Sequence, residues 1–336
     1  MPEAAPAASA PILSVQNLSM AFPVRKGLFG RASAAVTAVD NVSFDVFSGE
    51  TFGIVGESGC GKTTTGRCIL RILDPTEGTI TYRSDALGEV DLAELGRDEL
   101  RTVWREMRMI FQDPQSSLNP RLPIIEIIGQ SLRASGMASG REVGERVKEL
   151  LADVGMRPEI LHRYPGAFSG GQRQRIGIAR ALATKPKVVI ADEAVSALDV
   201  SIQAQTLNLL ADLQERYGLT YIFIAHDLAV VEHVCDRVAV MYLGQVVELS
   251  DKRELFAAPK HPYTRTLLSA VPVADPRQRR TRARSIPEGE ADTGSVTTAC
   301  KFAPRCPHAK EICSITAPPA REIGGAKVVC HFAGEI

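Results

Sequence analysis

Four stretches of the chain are apolar almost without interruption: Thr51-Val55, Val188-Ala191, Tyr221-Ala225 and Val238-Tyr242. Runs of this length without polar alternation predict strands covered on both faces. Between them, apolar residues recur at helical spacing over Thr63-Leu73, Gln172-Ala183 and Ile202-Tyr217. Strands alternating with helices predict an α/β fold built on a mostly parallel sheet. From Pro114 to Pro165 the pattern is helical, with Glu142-Val154 the clearest segment, and no strand signal interrupts it. Residues 114–165 are therefore expected to form a helical insert. Beyond Pro262 periodicity fades into the Arg-rich segment Arg277-Arg284 and then a tail bearing Cys, Pro and Gly. The expected organisation is a flexible tail over 1–11, a main domain over 12–260 and an extension over 261–336. No internal repeat is visible, so each motif occurs once.

Composition narrows the class. The chain has 336 residues, 45% hydrophobic and 23% charged, as ordinary globular proteins do. Its 39 basic and 39 acidic residues cancel, which argues against a protein whose main task is neutralising nucleic-acid phosphates. The Ala- and Pro-rich start lacks the basic and apolar regions of a signal peptide. No window approaches 18 apolar residues, so no segment is expected to span a bilayer. Any part in moving solutes would need separate membrane subunits.

The candidate chemistry begins at Gly56-Glu57-Ser58-Gly59-Cys60-Gly61-Lys62-Thr63, followed by Thr64. This run fits the phosphate-loop spacing and lies between a predicted strand and a predicted helix. Glycines let backbone N–H groups turn inward, and a helix start adds partial positive charge for a polyanion. Lys62 is placed to reach the β- and γ-phosphates of a nucleotide, and the Thr63 hydroxyl to ligate Mg²⁺. A second candidate closes the run Val188-Val189-Ile190-Ala191-Asp192-Glu193, where a buried strand ends in two carboxylates. Asp192 suits the Mg²⁺ shell, and Glu193 suits polarising an attacking water.

Phe168-Ser169-Gly170-Gly171-Gln172-Arg173-Gln174-Arg175 resembles the signature sequence of ABC ATPases. Around it stand Gln112 in Phe111-Gln112-Asp113-Pro114, Asp199 in Ser196-Ala197-Leu198-Asp199, and His226 after Tyr221-Ala225. The order of these motifs is that family's order, over about residues 12 to 260. Ser169 and the N–H groups of Gly170 and Gly171 also read as an anion-binding helix start, or as a plain N-cap. The resemblance implies a P-loop ATPase core with a helical subdomain, binding ATP and Mg²⁺. It implies a two-cassette machine in which the signature, with Gln172, completes the site of the other cassette. By the same carry-over Asp199 shapes the seam between cassettes, Gln112 links Mg²⁺ to the helical insert, and His226 holds the γ-phosphate and water. The adenine would stack on an aromatic from the first strand region, with Phe22 the candidate and a core phenylalanine the alternative reading.

Longer stretches resemble one branch of the family. Residues Phe111-Gln112-Asp113-Pro114-Gln115-Ser116-Ser117-Leu118-Asn119-Pro120, Ala197-Leu198-Asp199-Val200-Ser201-Ile202-Gln203-Ala204-Gln205 and His261-Pro262-Tyr263-Thr264 look like the ATP-binding subunits of dipeptide and oligopeptide importers. This implies an ATPase that powers peptide import, peripheral on the cytoplasmic face of the inner membrane. Its implied partners are two integral-membrane permease subunits, a second similar cassette and, indirectly, a solute-binding protein. Similar ATPases serve nickel, oligosaccharides and opine-like compounds, so the solute stays open. A soluble ABC protein acting on DNA or ribosomes is the main contrasting class, and this chain lacks the second cassette and basic inserts such proteins carry. Two departures stand out: Ala194 occupies a position where proline is usual after the catalytic Glu, which would loosen that loop, and the segment before Cys300 lacks a Pro-rich run.

Of seven cysteines, Cys300, Cys306, Cys313 and Cys330 fall in the tail. Their spacing misses the tight pairs of zinc sites, and disulfides are disfavoured in the cytosol. Four thiolates also suit an iron-sulfur cluster. Similar tails in peptide-importer ATPases carry a [4Fe-4S] cluster, so the resemblance favours that occupant over zinc, with His308 or His331 as further ligands, and over free thiols. A tail with little apolar periodicity is expected to need such a staple.

Overall fold

The computed structural model describes residues 10–25, 32–270 and 299–335. The N-terminal tail up to residue 9, the Arg277-Arg284 segment and the stretch preceding Cys300 lie outside those residues. In chain order the elements are β1 (Leu13–Arg25), β2 (Ala32–Val46), β3 (Thr51–Val55), α1 (Lys62–Ile69), β4 (Glu77–Ser84) and β5 (Gly88–Asp91). They continue with α2 (Arg97–Glu106), β6 (Met107–Ile110), α3 (Pro114–Ser117), α4 (Ile124–Ala134), α5 (Glu142–Asp153) and α6 (Gly170–Leu182). Then come β7 (Val188–Asp192), α7 (Val200–Tyr217), β8 (Thr220–Ala225), α8 (Leu228–Val234), β9 (Arg237–Tyr242) and β10 (Gln245–Asp251). The chain closes with α9 (Lys252–Ala257), α10 (Pro262–Ala270), α11 (Glu311–Ile315), β11 (Ala320–Ile323) and β12 (Ala326–Val329).

The chain divides into two compact units. Among the described residues, the first takes 10–13, 45–51 and 81–224. Its sheet runs β8-β7-β6 in parallel, with Met107 opposite Val188 and Val188 opposite Thr220. Every residue of β7 and β8 is buried, which explains their unbroken apolar sequences: a parallel strand has no wet face to decorate. Truncating one such side chain, Ile190→Ala for example, would cost about 2–5 kcal/mol in lost transfer energy and cavity. Helices α4, α5 and α6 belong to this unit; α4 buries one stripe, Ile124, Ile127, Ile128 and Leu132, and α5 another, Val143, Val147 and Leu151. Apolar residues spaced three and four apart put that stripe on one side.

The second unit takes the described residues within 14–44, 52–80 and 225–335. Its strands follow the order β11-β12-β10-β9-β3. β3 and β9 pair in parallel, with Phe52 opposite Arg237. The β9–β10 hairpin turns through Leu243 and Gly244 at φ 43° and 84°, the left-handed pair that matches strand twist in a two-residue turn. The tail departs from expectation. Instead of depending wholly on a staple, its β12 pairs antiparallel with β10, Glu248 opposite Val328, and β11 adds outside it. Ala326, Val328, Cys330 and Ala333 form a small buried cluster with Ile323 and Phe332 against it. Strands of four residues carry too few positions for periodicity to announce them, and β10 supplies the ladder they need.

Candidate functional site

The strongest local feature follows β3. The chain leaves Val55 through Gly56 and re-enters a helix at Lys62, and Gly61, the residue before α1, has φ 103°. Glycine is required there twice over, because a Cβ at Gly61 would sit 2.2 Å from the Ala38 carbonyl oxygen. At Gly56 a Cβ would come equally close, 2.2 Å, to the Met241 oxygen. The loop therefore packs its backbone directly against β2 and β9.

Inside this curve lies Lys62, 4% exposed. Its ammonium donates to the Gly56 and Glu57 carbonyls at 2.8 and 2.9 Å, with the Cys60 sulfur at 3.9 Å. A buried cation demands such partners, since an unpaired one would carry a heavy desolvation cost. Burial pushes the Cys60 thiol up against the lowering pull of Lys62, so this cysteine stays protonated and acts as a small packing residue. Thr63 and Thr64 stand half-buried on the first turn of α1. Cations and N–H groups gathered at a helix start make a polyanion seat.

Asp192 ends β7 at 1% exposure. Glu193 follows at φ 45°, a left-handed conformation that costs a non-glycine residue about 1–3 kcal/mol and concentrates at functional sites. Its N–H donates to Ile224 of β8 at 2.9 Å, and its carboxylate accepts from the Gln112 amide at 2.8 Å. Gln112 stands two residues past β6, so the pair joins the carboxyl ends of parallel strands, where open α/β sheets bind ligands. The turn after Glu193 is tied despite Ala194. The Ser196 N–H and hydroxyl both donate to the Glu193 carbonyl at 3.1 and 3.0 Å, and Ala194 is 2% exposed. Packing and these bonds supply the restraint that a proline ring would otherwise add. His226 is exposed directly after β8, and Asp227 behind it caps α8 by accepting from the Ala229 N–H at 2.9 Å.

Ser169 caps α6 in a reciprocal box: the Gln172 N–H donates to its hydroxyl at 3.4 Å, and its own N–H donates to the Gln172 side chain at 3.1 Å. Ser169 and Gly170 are exposed, while Gly171 backs onto Ile202, where a Cβ would come within 2.5 Å. Asp199 precedes α7 beside Val200, which is 83% exposed. Phe22 on β1 is 38% exposed, a ring presented to solvent rather than sunk in the core.

In the tail, Cys300, Cys306, Cys313 and Cys330 line one small cavity together with His261, Phe302, His308 and His331. Burial pushes the Cys300, Cys306 and Cys330 thiols up, and the nearby Cys313 adds to the rise of each. Among the described residues no group of three or more His, Cys, Asp or Glu side chains is spaced to hold a metal ion. The thiols thus surround a common space without closing on a single point. Arg305, which no motif marks, forms an ion pair through its guanidinium with Glu57 of the loop. No local signal could reveal a partner 248 positions away. Among the described residues no helix is long and apolar enough to cross a membrane.

Comparison with known proteins agrees with these features. Residues 39–196 match the family model "ABC transporter", and residues 247–313 match "Oligopeptide/dipeptide transporter, C-terminal region". The oligopeptide transport ATP-binding protein AppF of Bacillus subtilis (strain 168) is 50% identical over 96% of this chain and 97% of its own length. The glutathione import ATP-binding protein GsiA of Salmonella choleraesuis (strain SC-B67) is 53% identical over 86% of this chain and 46% of its own. Among solved structures, a dimeric post-hydrolysis state of the ATP-binding cassette MJ0796 bound to ADP and Pi superposes with a TM-score of 0.62 at 29% identity. It covers 72% of this chain and 99% of that one.

Proposed function

Because this chain belongs to the ABC transporter family and carries the C-terminal region of its oligopeptide and dipeptide branch, we propose that it is the ATP-hydrolysing subunit of a peptide importer. The observation that carries the reading is the loop before α1, where the buried Lys62 ammonium is held by the Gly56 and Glu57 carbonyls at the start of the helix. In this reading Gly56, Glu57, Ser58, Gly59, Cys60, Gly61, Lys62, Thr63 and Thr64 cradle the phosphates, and Phe22 stacks on the adenine. Oxygen donors suit Mg²⁺, and the Thr63 hydroxyl, the Asp192 carboxylate and the Gln112 amide are such donors; the ion supplies charge neutralisation on the phosphates. Glu193 accepts a proton from the attacking water, held in orientation by the Gln112 amide, and His226 donates to the γ-phosphate.

The exposed Ser169, Gly170 and Gln172, with the half-buried Gly171, serve the nucleotide of a second, similar cassette, with Asp199 and the bare Val200 at that seam. A solvent-facing helix start with a satisfied cap has little to bind within its own chain, which supports the paired arrangement. Two membrane permease subunits complete the assembly, and the chain docks to them peripherally at the cytoplasmic face of the inner membrane. A solute-binding protein delivers the peptide. In the same reading the four tail cysteines hold an iron-sulfur cluster; what supports it is that all four line one cavity and that four thiolates suit such a cluster. That cluster supplies a structural staple rather than a part in hydrolysis.

Glu193→Gln in the assembled transporter tests the chemistry. ATP binding should persist while turnover falls by roughly 10²- to 10⁴-fold, the range for losing a positioned acid-base group. An unchanged steady-state rate would remove Glu193 from the reaction.

A further inference from the structure

Glu57, the second residue of the phosphate loop, is gripped from outside by two residues far along the chain. Its N–H donates to the Tyr263 hydroxyl at 3.0 Å. Its carboxylate accepts two bonds of 2.9 Å from Arg305, one from each terminal guanidinium nitrogen. A two-pronged pair of this kind fixes orientation as well as distance. The Arg305 side chain is 11% exposed and the Glu57 side chain 40%, so water reaches one partner far more than the other.

Both gripping residues are themselves braced. The Glu248 carboxylate accepts the N–H groups of Lys260 and His261 at 2.8 and 2.9 Å, and His261 Nδ1 accepts the Tyr263 N–H at 3.0 Å. The His-Pro-Tyr-Thr run at 261–264 thereby aims a phenol at the Glu57 backbone. Arg305 lies over the Tyr242 ring at 5.8 Å, and Tyr242 packs on Tyr263 and Phe302 at 4.6 and 5.2 Å. Nearby, Lys301 pairs with Asp40 at 2.7 Å and donates to the Leu243 carbonyl at 2.9 Å. The next residue, Gly244, donates its N–H to the Cys60 carbonyl at 3.0 Å.

We infer that Arg305 and Tyr263 are positioning residues for nucleotide binding: they lock the Glu57 peptide, and through it the aim of the loop. The link to the phosphates is direct, because the Glu57 carbonyl is one of the two that hold the Lys62 ammonium. Displacing that peptide displaces the lysine. Lys301, Phe302 and Arg305 all lie between Cys300 and Cys306, so the segment that carries half of the cysteine site is also the segment that braces the loop. The brace works whatever those thiols hold. This inference rests on the reading of the loop as the ATP site.

The test uses the full chain in its assembled transporter, with ATP titrated in steady-state turnover and in equilibrium binding. Arg305→Ala should raise the KM and Kd for ATP by about three- to tenfold, the scale of a partly exposed charge-assisted pair, with kcat within about twofold. Glu57→Gln should raise the KM and Kd for ATP by a similar factor. The double variant should be no worse than the poorer single, since both remove one interaction. Arg305→Lys, which keeps charge but not the fork, should fall between, and Tyr263→Phe, which keeps the ring packing, should weaken ATP by a smaller factor in the same direction. These two conservative variants carry the test if Arg305→Ala does not fold. Unchanged ATP affinity in Arg305→Lys and Tyr263→Phe, or multiplicative losses in the double variant, would overturn the proposal. Lys62→Ala separates the two layers. Loss of ATP binding there with no effect in the brace variants defeats the brace alone, whereas retained binding in Lys62→Ala defeats the ATP-site reading beneath it.

Discussion

Gly61→Ala should damage the chain in two separable ways, and Gly59→Ala provides the internal reference. Both glycines have left-handed backbones, φ 103° at Gly61 and φ 80° at Gly59. An L side chain there costs roughly 1–2 kcal/mol. Only Gly61 meets an obstacle: its Cβ would stand 2.2 Å from the Ala38 carbonyl oxygen, while nothing lies within 4 Å of one at Gly59. The obstacle is backbone in β2, so it cannot swing aside as a side-chain tip would, and overpacking of this kind adds about 1–3 kcal/mol. The totals are about 2–5 kcal/mol for Gly61→Ala against about 1–2 for Gly59→Ala. Thermal unfolding should register these as drops of about 3–7 °C and about 1–3 °C for a chain of this length. Function should separate the variants further. Gly61 sits where the loop becomes helix, so relieving the clash moves the N–H groups of α1, and displacement by about 1 Å can cost on the order of 10²-fold in rate. Calorimetric melting, ATP binding and turnover of both variants provide the comparison. Equal melting temperatures and equal ATP affinities for Gly61→Ala and Gly59→Ala would falsify the steric argument, leaving only backbone conformation at work.

Two buried thiols of the second unit should behave as inert packing groups. Burial pushes Cys68 up to about 11 and Cys235 up to about 12, so neither should be alkylated in the folded protein at pH 8, and both should react once it unfolds. Because folded-state ionisation is disfavoured, their contribution to stability is complete below the unfolded thiol range and is lost as pH rises from about 8.5 towards 11. Labelling followed by mass spectrometry decides the first point, and denaturant titrations of wild type and Cys235→Ala against pH decide the second; parallel curves would refute it. Protein purified without oxygen should be brown, with about four irons per chain, and should lose both properties in Cys306→Ser while still binding ATP. Colourless anaerobic protein, with or without zinc, would defeat the cluster.

Features that rest on short-range rules are written in the order of the residues. β3, β7, β8 and β9 announce themselves because strands buried on both faces must be apolar throughout. α6 and α7 were legible to within two residues, one opened by a Ser-x-x-Gln capping box and the other closed by Gly218 in the left-handed conformation. The helical character of α4 and α5 shows in stripes three and four residues apart. α1 ends four residues earlier than its periodicity promised, because Arg71 adopts φ 52° and breaks the helix. The loop at 56–63 was readable because its chemistry demands glycines and a lysine at fixed spacing. The remaining features depend on how the folded elements meet. β11 and β12 exist because β10 offers an edge, a fact no four-residue window contains. The left-handed backbone of Glu193 and its bond from Gln112 depend on which strands lie side by side. The clasp on Glu57 joins residues separated by 206 and 248 positions, and neither an arginine in a polar segment nor a tyrosine beside a proline tells where its donor or acceptor will be. Periodicity and turn chemistry act through a few covalent neighbours, so they are written in the sequence. Pairing across hundreds of residues is selected by the packed chain as a whole, and it appears only once the chain is folded.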